Sequence, residues 1–212
     1  MQPLRTAKEG MNVVTIITYN DWPLIKDCIE SVYDKADSII VVDGRYRDFP
    51  GKEWLSNDGT WEYLNSLDKI TLIAGSRSTE YEKRNYYLMQ CSEGDIVLNL
   101  DADEVLVGEF PQISADWGII KLYDGPSRHV KKRASRLFRY REGMQYRNVH
   151  FTLYWQGRQI NKLDRVIDPD TSVQIVEDSY IEHNWHLRSQ TRRHDKSIYY
   201  KKLVKLEKGY PR

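Results

Sequence analysis

Four short apolar runs recur through the first hundred residues, and their spacing constrains the fold more than any other feature. They are "NVVTIITYN" from Asn12, "DSIIVVDG" from Asp37, "KITLIAG" from Lys69 and "GDIVLNL" from Gly94. The first is nearly continuous and β-branched, the pattern of a strand buried on both faces, and the others read the same way. Segments of helical spacing separate them. Leu24, Ile25, Cys28, Ile29, Val32 and Tyr33 make one apolar face, opened by Asp21 and Pro23. "TWEYLNSLD" reads as a short second helix, and Thr79 and Glu82 have capping-box spacing ahead of a third that runs to about Cys91. This alternation predicts an α/β fold: a single Rossmann-like mixed sheet flanked by helices, mostly parallel in its first half.

Beyond Phe110 the pattern changes. "WGIIKLYDG", "SRLFRYREG" and "HFTLYWQG" read as further strands or arms, and residues 145 to 180 contain no clean helix. From about Ser189 to Lys208 the chain is helical, with a stripe of Tyr199, Leu203 and Leu206 beside Tyr200 and Val204. A chain of 212 residues without repeats or low-complexity linkers suits one domain. We read residues 12–107 as its ligand-binding half and 108–212 as a second half that ends in a basic helix.

Ligands of such sheets bind beyond the carboxyl ends of the strands. Three polar groups fall there: Thr18 to Asn20, Asp43, and Asp101 to Glu104. The last is "DADE", three acids in four positions at the end of a core strand. No lysine or arginine lies between Cys91 and Asp116, so nothing nearby in sequence offsets that charge, and clustered carboxylates raise one another's pKa. On an extended exit Asp101 and Asp103 point the same way and can share one hard cation, Mg²⁺ or Mn²⁺. The spacing of a calcium-binding EF-hand loop is not met. Neither "GxGxxG" nor "GxxxxGK" follows the first strand, so the dinucleotide fingerprint and the P-loop are absent.

Formal net charge is +1, but charge is segregated. From Arg128 to Arg147 there are eight lysines and arginines against one acid, Glu142; from His186 to Arg212 there are nine against two. These flanks suit an anion-handling surface beside the acidic centre, the plain alternative being a solvated helix face. The overall balance argues against nonspecific nucleic-acid binding. Cys28 and Cys91 read as buried thiols of a reducing compartment. "MQPLRTAKEG" has no apolar h-region and no apolar run approaches the roughly 20 residues that span a membrane, so the expectation is a soluble, cytoplasmic protein without a transmembrane segment.

Taken together, "VVTIITYN", "SIIVVDG" and "KRNYYLMQCSEGDIVLNLDADEVL" resemble the nucleotide-sugar glycosyltransferases of the A fold, in particular the large family-2-like group. "IEHNWH" and "RRHDKSIYYKKL" resemble the histidine-plus-basic-helix ending of many short members. The resemblance implies a metal-dependent enzyme that moves a sugar from a nucleoside diphosphate sugar, UDP-sugar foremost, to an acceptor that is a glycan, a lipid-linked molecule or a small molecule. It implies that Thr18, Tyr19 and Asn20 line the base and ribose pocket, that Asp43 contacts the base, that Arg84 approaches the phosphates, and that Asp101 contacts ribose and the metal. Asp103 would ligate Mn²⁺ or Mg²⁺, with His183 or His186 completing the shell. His129, His150 and His194 have no comparable context. The second strand departs from the family pattern in "GRYRDFPG", which we expect to form a loop over the donor site through Arg45 and Arg47. The cationic residues near Arg128 to Arg139, or Arg188, Arg192 and Arg193, would stabilise leaving-group charge. Asp124 would serve as general base, ahead of Asp164 and Glu177; a retaining course would need none. The alternatives from other classes are a Mg²⁺-dependent nucleotidyltransferase and a nucleic-acid-binding module.

Overall fold

A computed structural model describes residues 10–125, 129–147, 152–162 and 165–209, with side chains over 10–125, 134–147, 152–161 and 165–203. The first half follows the sequence closely. Strands β1 (Asn12–Thr18), β2 (Ser38–Asp43), β3 (Ile70–Ala74) and β4 (Ile96–Asp101) alternate with helices α1 (Leu24–Val32), α2 (Thr60–Asn65) and α3 (Glu80–Leu88). The second half adds β5 (Glu104–Val107), β6 (Trp117–Asp124), β7 (His129–Arg139), β8 (Gln145–Tyr146), β9 (Leu153–Trp155), β10 (Arg158–Gln159), β11 (Asn161–Lys162), β12 (Arg165–Val166) and β13 (Val173–His183). A single 3-10 turn (Trp185–Leu187) and helix α4 (Gln190–Gly209) follow.

Eight strands form one mixed sheet in the order β3-β2-β1-β4-β7-β6-β13-β5. Its first four strands run parallel, and β7 joins β4 antiparallel. The chain leaves β1 toward β2 and β3 and then returns to place β4 on the other side of β1. That reversal makes the β1/β4 boundary the topological switch point, where crossovers diverge and leave a crevice at the carboxyl ends.

Alternation along the strands sorts the core into two layers. Val14 and Ile16 of β1 meet Ile25, Ile29 and Val32 of α1 on one face. Val13 and Ile17 meet Tyr87 and Leu88 of α3 on the other. Every side chain of β1 from Val13 to Thr18 is buried, which accounts for its unbroken apolar character. The capping box is present: Thr79 Oγ1 accepts from the Glu82 amide, and Glu82 Oε2 accepts from the Thr79 amide at 2.7 Å. Helix α3 stops at Leu88 rather than Cys91, and α4 begins close to its expected start. Cys28 is buried and Cys91 half-buried; both are free thiols. No helix among the described residues is long and apolar enough to cross a membrane.

One local expectation is corrected. The chain does not leave β4 extended: Ala102 and Asp103 form a turn, and Glu104 begins β5, which pairs with β13 instead of β4. The strand period of two therefore does not carry Asp101 and Asp103 to one position.

Candidate active site

The switch-point crevice is a cavity of about 640 Å³. Its floor is Ile17 and Asp21 after β1 and Asp101, Ala102 and Asp103 after β4. Tyr46, Glu80, Arg84 and Arg136 line it too, as do His183, Trp185, Arg188, Arg192, Arg193 and Lys196 from the carboxyl-terminal part of the chain. Six arginine and lysine side chains thus face four carboxylates. A cavity of this size suits a ligand of nucleotide dimensions.

The absence of cations near "DADE" in sequence is resolved by the fold, which brings in guanidinium groups from far along the chain. Asp101 lies between Arg84 (Nη2 to Oδ1, 3.5 Å) and Arg136 (Nη2 to Oδ2, 3.3 Å), and 31% of its side chain remains open to the cavity. Burial pushes its pKa up, but Arg136 and Arg84 more than offset this and hold it far below the usual carboxylate range. Arg136 also donates to Glu104 Oε1 at 3.0 Å, and Glu104 Oε2 accepts from the Asp101 amide. Glu104 is fully buried, and that burial lifts its pKa to about 7 despite Arg136. The Arg84 charge is shared between Asp101 and Glu80, the latter at 3.2 Å.

Asp103 makes a separate cluster. Its Oδ2 accepts from Arg188 Nε at 2.5 Å and lies 3.5 Å from His183 Nε2. Arg188 Nη1 donates to Asp21 Oδ1, and Arg192 approaches the same oxygen at 3.7 Å. Burial opposes ionisation of both Asp21 and Asp103, yet Arg188 at each, with His183 at Asp103, keeps their pKa values lowered. Burial also opposes the charge of His183, but Asp103 and Glu104 raise its pKa above the ordinary imidazole value. Its Nδ1 is 3.6 Å from Asp124 Oδ1.

The structure gathers some predicted site residues and sets others apart. Asp101, Asp103, Arg84, Arg188 and His183 line the cavity. His186 does not: it packs against Gly125 and the Trp185 ring, because the 3-10 turn rotates it away. Asp124 ends β6 beside His183, its Oδ1 3.6 Å from the imidazole Nδ1. Thr18 is spent on Asp21 (Oγ1 to Oδ2, 3.1 Å), and Tyr19 is buried edge-on to Phe49. Asn20 holds the 56–57 segment through Ser56 Oγ and the Asn57 amide. Asp43 is fully buried and accepts from the amide and hydroxyl of Ser56. The 44–59 segment does not close over the cavity through Arg45, whose guanidinium stacks on Trp54 at 3.9 Å. Arg128, His150 and Asp164 lie outside the described residues, as do the side chains of His129, Val204 and Leu206.

Sequence reasoning missed Asp21, which it took only as a helix start, and Glu80, Tyr46 and Lys196. The basic tail is not simply a solvated face. Its first turns point Arg188, Arg192 and Lys196 inward, and Tyr199 stacks on Tyr46 with centroids 5.5 Å apart.

A mixed sheet flanked by helices, with an acidic turn at its switch point and a cation-lined crevice, has the architecture of the glycosyltransferase A fold. Residues 13–113, just under half of the chain, match the family model for glycosyl transferase family 2. No curated protein matches it. Among solved structures, S. aureus TarS (residues 1–349) is similar at 20% identity and a TM-score of 0.43, over 57% of this chain and 38% of that one. GalNAc-T7 with UDP, GalNAc and Mn²⁺ is similar at 14% identity and a TM-score of 0.41, over 64% and 26%. The synthase of 4-diphosphocytidyl-2C-methyl-D-erythritol is similar at 12% and 0.39, over 62% and 76%. The chain therefore spans well under half the length of the TarS structure.

The family match suggests a divalent cation. The carboxylate of Asp103 and the imidazole of His183 are ligand types that Mn²⁺ and Mg²⁺ accept. The 3.5 Å between Asp103 Oδ2 and His183 Nε2 is a separation that two ligands of one ion can adopt. Among the described residues, however, no three His, Cys, Asp or Glu side chains are gathered as a metal group, and Arg188 holds the shared oxygen of Asp103.

Proposed function

We propose that the protein transfers a sugar from a nucleoside diphosphate sugar, with UDP as the first base to test, to a hydroxyl-bearing acceptor, and that a divalent cation assists. The observation that carries this reading is the switch-point cavity, in which six cationic side chains outnumber the carboxylates that pair with them. Glycosyl transfer leaves a nucleoside diphosphate that gains negative charge as the bond to the sugar breaks. Preorganised cations in a shielded site stabilise such charge without reorganisation. Arg188, Arg192, Arg193 and Lys196 are placed for that work, and Asp101 presents the one carboxylate of the β4 turn with substantial exposure. Asp103 and His183 would hold Mn²⁺ or Mg²⁺, which would supply Lewis-acid stabilisation of the leaving diphosphate when bound. Trp185, 39% exposed at the cavity wall, offers an apolar face to an acceptor.

The inward turn of the basic tail disfavours the nucleic-acid reading, because Arg188, Arg192, Arg193 and Lys196 line the crevice beside carboxylates instead of forming an outward basic face. The nucleotidyltransferase reading lacks a glycine-rich phosphate loop after β1, where Thr18, Tyr19 and Asp21 are tied to one another. A thermal-shift series with nucleoside diphosphates and nucleotide sugars, with and without Mn²⁺, tests the proposal. Stabilisation by one base family and release of nucleoside diphosphate from its sugar are expected. No shift with any nucleotide, or pyrophosphate release from a nucleoside triphosphate and a sugar phosphate, would reject it.

The buried position of Asp43 gives a separate expectation. Asp43→Ala leaves the amide and hydroxyl of Ser56 without their acceptor, so it should cost the fold about 1–3 kcal/mol. UDP affinity of the folded variant, measured by calorimetry, should change less than about threefold. A tenfold loss, about 1.4 kcal/mol, with unchanged melting would return Asp43 to the base pocket.

A further inference from the structure

The acidic turn already carries a cation of its own. Arg188 and Asp103 each have only 4% of the side chain exposed, and Arg188 bridges Asp103 and Asp21 through Nε and Nη1. Its third nitrogen, Nη2, is buried without a hydrogen-bond partner, although the residue lines the cavity. A buried N–H lacking an acceptor is costly, so this edge of the guanidinium is matched to an acceptor the protein does not supply. Planar guanidinium forks suit phosphate oxygens in particular. The residue also sits outside regular structure, in extended backbone between the 3-10 turn and α4, so no helix fixes its backbone.

Asp103 Oδ2 faces both Arg188 Nε and His183 Nε2. A dication on that oxygen and a guanidinium 2.5 Å from it exclude each other, by like charge and by volume. We propose that Arg188 is an exchangeable counter-ion: it holds the cation position at Asp103 in the free protein, and a diphosphate draws it off through Nη2 so that a divalent ion can take its place. The inference rests on the donor reading above and deepens it. It makes metal and diphosphate binding positively coupled, and by linkage each ligand must strengthen the other by the same factor. In the exchange Asp103 takes the ion in place of the guanidinium, and Asp21 is left with Arg192, 3.7 Å from its Oδ1.

The test is Mn²⁺ binding to nucleotide-free protein, followed by calorimetry and by the rise in melting temperature. Arg188→Met is expected to bind Mn²⁺ at least tenfold more tightly than the wild type. Because that variant leaves two carboxylates without their guanidinium, the Asp21→Asn/Arg188→Met double variant is measured too; it keeps the local net charge and should show the same gain. Arg193→Met removes one cavity charge that does not touch Asp103 and should change Mn²⁺ affinity less than about twofold. No gain in either Arg188 variant, or an equal gain in Arg193→Met, would overturn the proposal. UDP titrated into the wild type with Mn²⁺ reports separately on the donor reading: absence of UDP binding would sink that reading, while the Mn²⁺ affinities still decide whether Arg188 holds the cation position.

Discussion

Asp103→Ala is expected to weaken the fold by about 3–5 kcal/mol as well as to abolish transfer. The sequence alone suggests a milder outcome, in which a surface metal ligand is lost and the fold survives. The structure changes that expectation because Asp103 is one of two carboxylates that compensate the buried Arg188. Removing one partner of a buried pair leaves the other charge desolvated, and this penalty exceeds what the pair itself contributes. Asp21 remains, so the loss should fall toward the lower end of the range. For a chain of this length that is a drop in melting temperature of roughly 6–20 °C. The double variant Asp103→Ala/Arg188→Met removes both charges and should regain much of that loss without regaining transfer. If Asp103→Ala melts within a degree or two of the wild type, Arg188 is stabilised by something other than this pair.

The same contrast marks what was legible in the sequence. The α/β alternation of the first half was readable because strand and helix periods are local properties, and Thr79 with Glu82 announced the start of α3 for the same reason. The acidic turn was readable as a charge problem but not as its solution. Arg84, Arg136 and Arg188 lie 17, 35 and 85 residues from their aspartate partners, and nothing in the spacing pairs them. His183 and His186 look equivalent in sequence. Rigid delivery by β13 puts the first beside Asp103, while one 3-10 turn carries the second to Gly125. Asp43 was placed correctly at a strand end, yet Ser56, from the segment that departs from the family pattern, folds back over it. Buried polar pairing of this kind is set by tertiary geometry, which periodicity does not encode.

Lys83 carries the other large expected effect, a gain of stability with rising pH. Its side chain is fully buried beneath α3, and Nζ donates to the carbonyls of Thr18 and Gly44 at the exits of β1 and β2, over the Tyr46 ring. Burial lowers its pKa from 10.5 to about 7, with Asp43 and Asp21 only partly offsetting this. Between these two values the unfolded chain binds a proton that the native protein does not. Stability therefore rises with pH across that window, by about 1.4 kcal/mol per unit at most. Cys28 and Cys91 act in the opposite sense, since burial raises both thiols and the unfolded chain releases their protons first. The informative quantity is therefore the difference between the wild type and Lys83→Met, in which the cysteines cancel. Methionine keeps the buried stem and removes the amine. It relieves the cost of burying a titrating group at pH 7 but leaves two strand-end carbonyls without their donor, so the two proteins should lie close together there. From pH 7 to pH 9 the wild type should pull ahead by about 1–3 kcal/mol in urea unfolding. A difference that stays constant over this range would mean that the native amine keeps its proton, held by Asp43 and Asp21 across the buried floor of the strand exits.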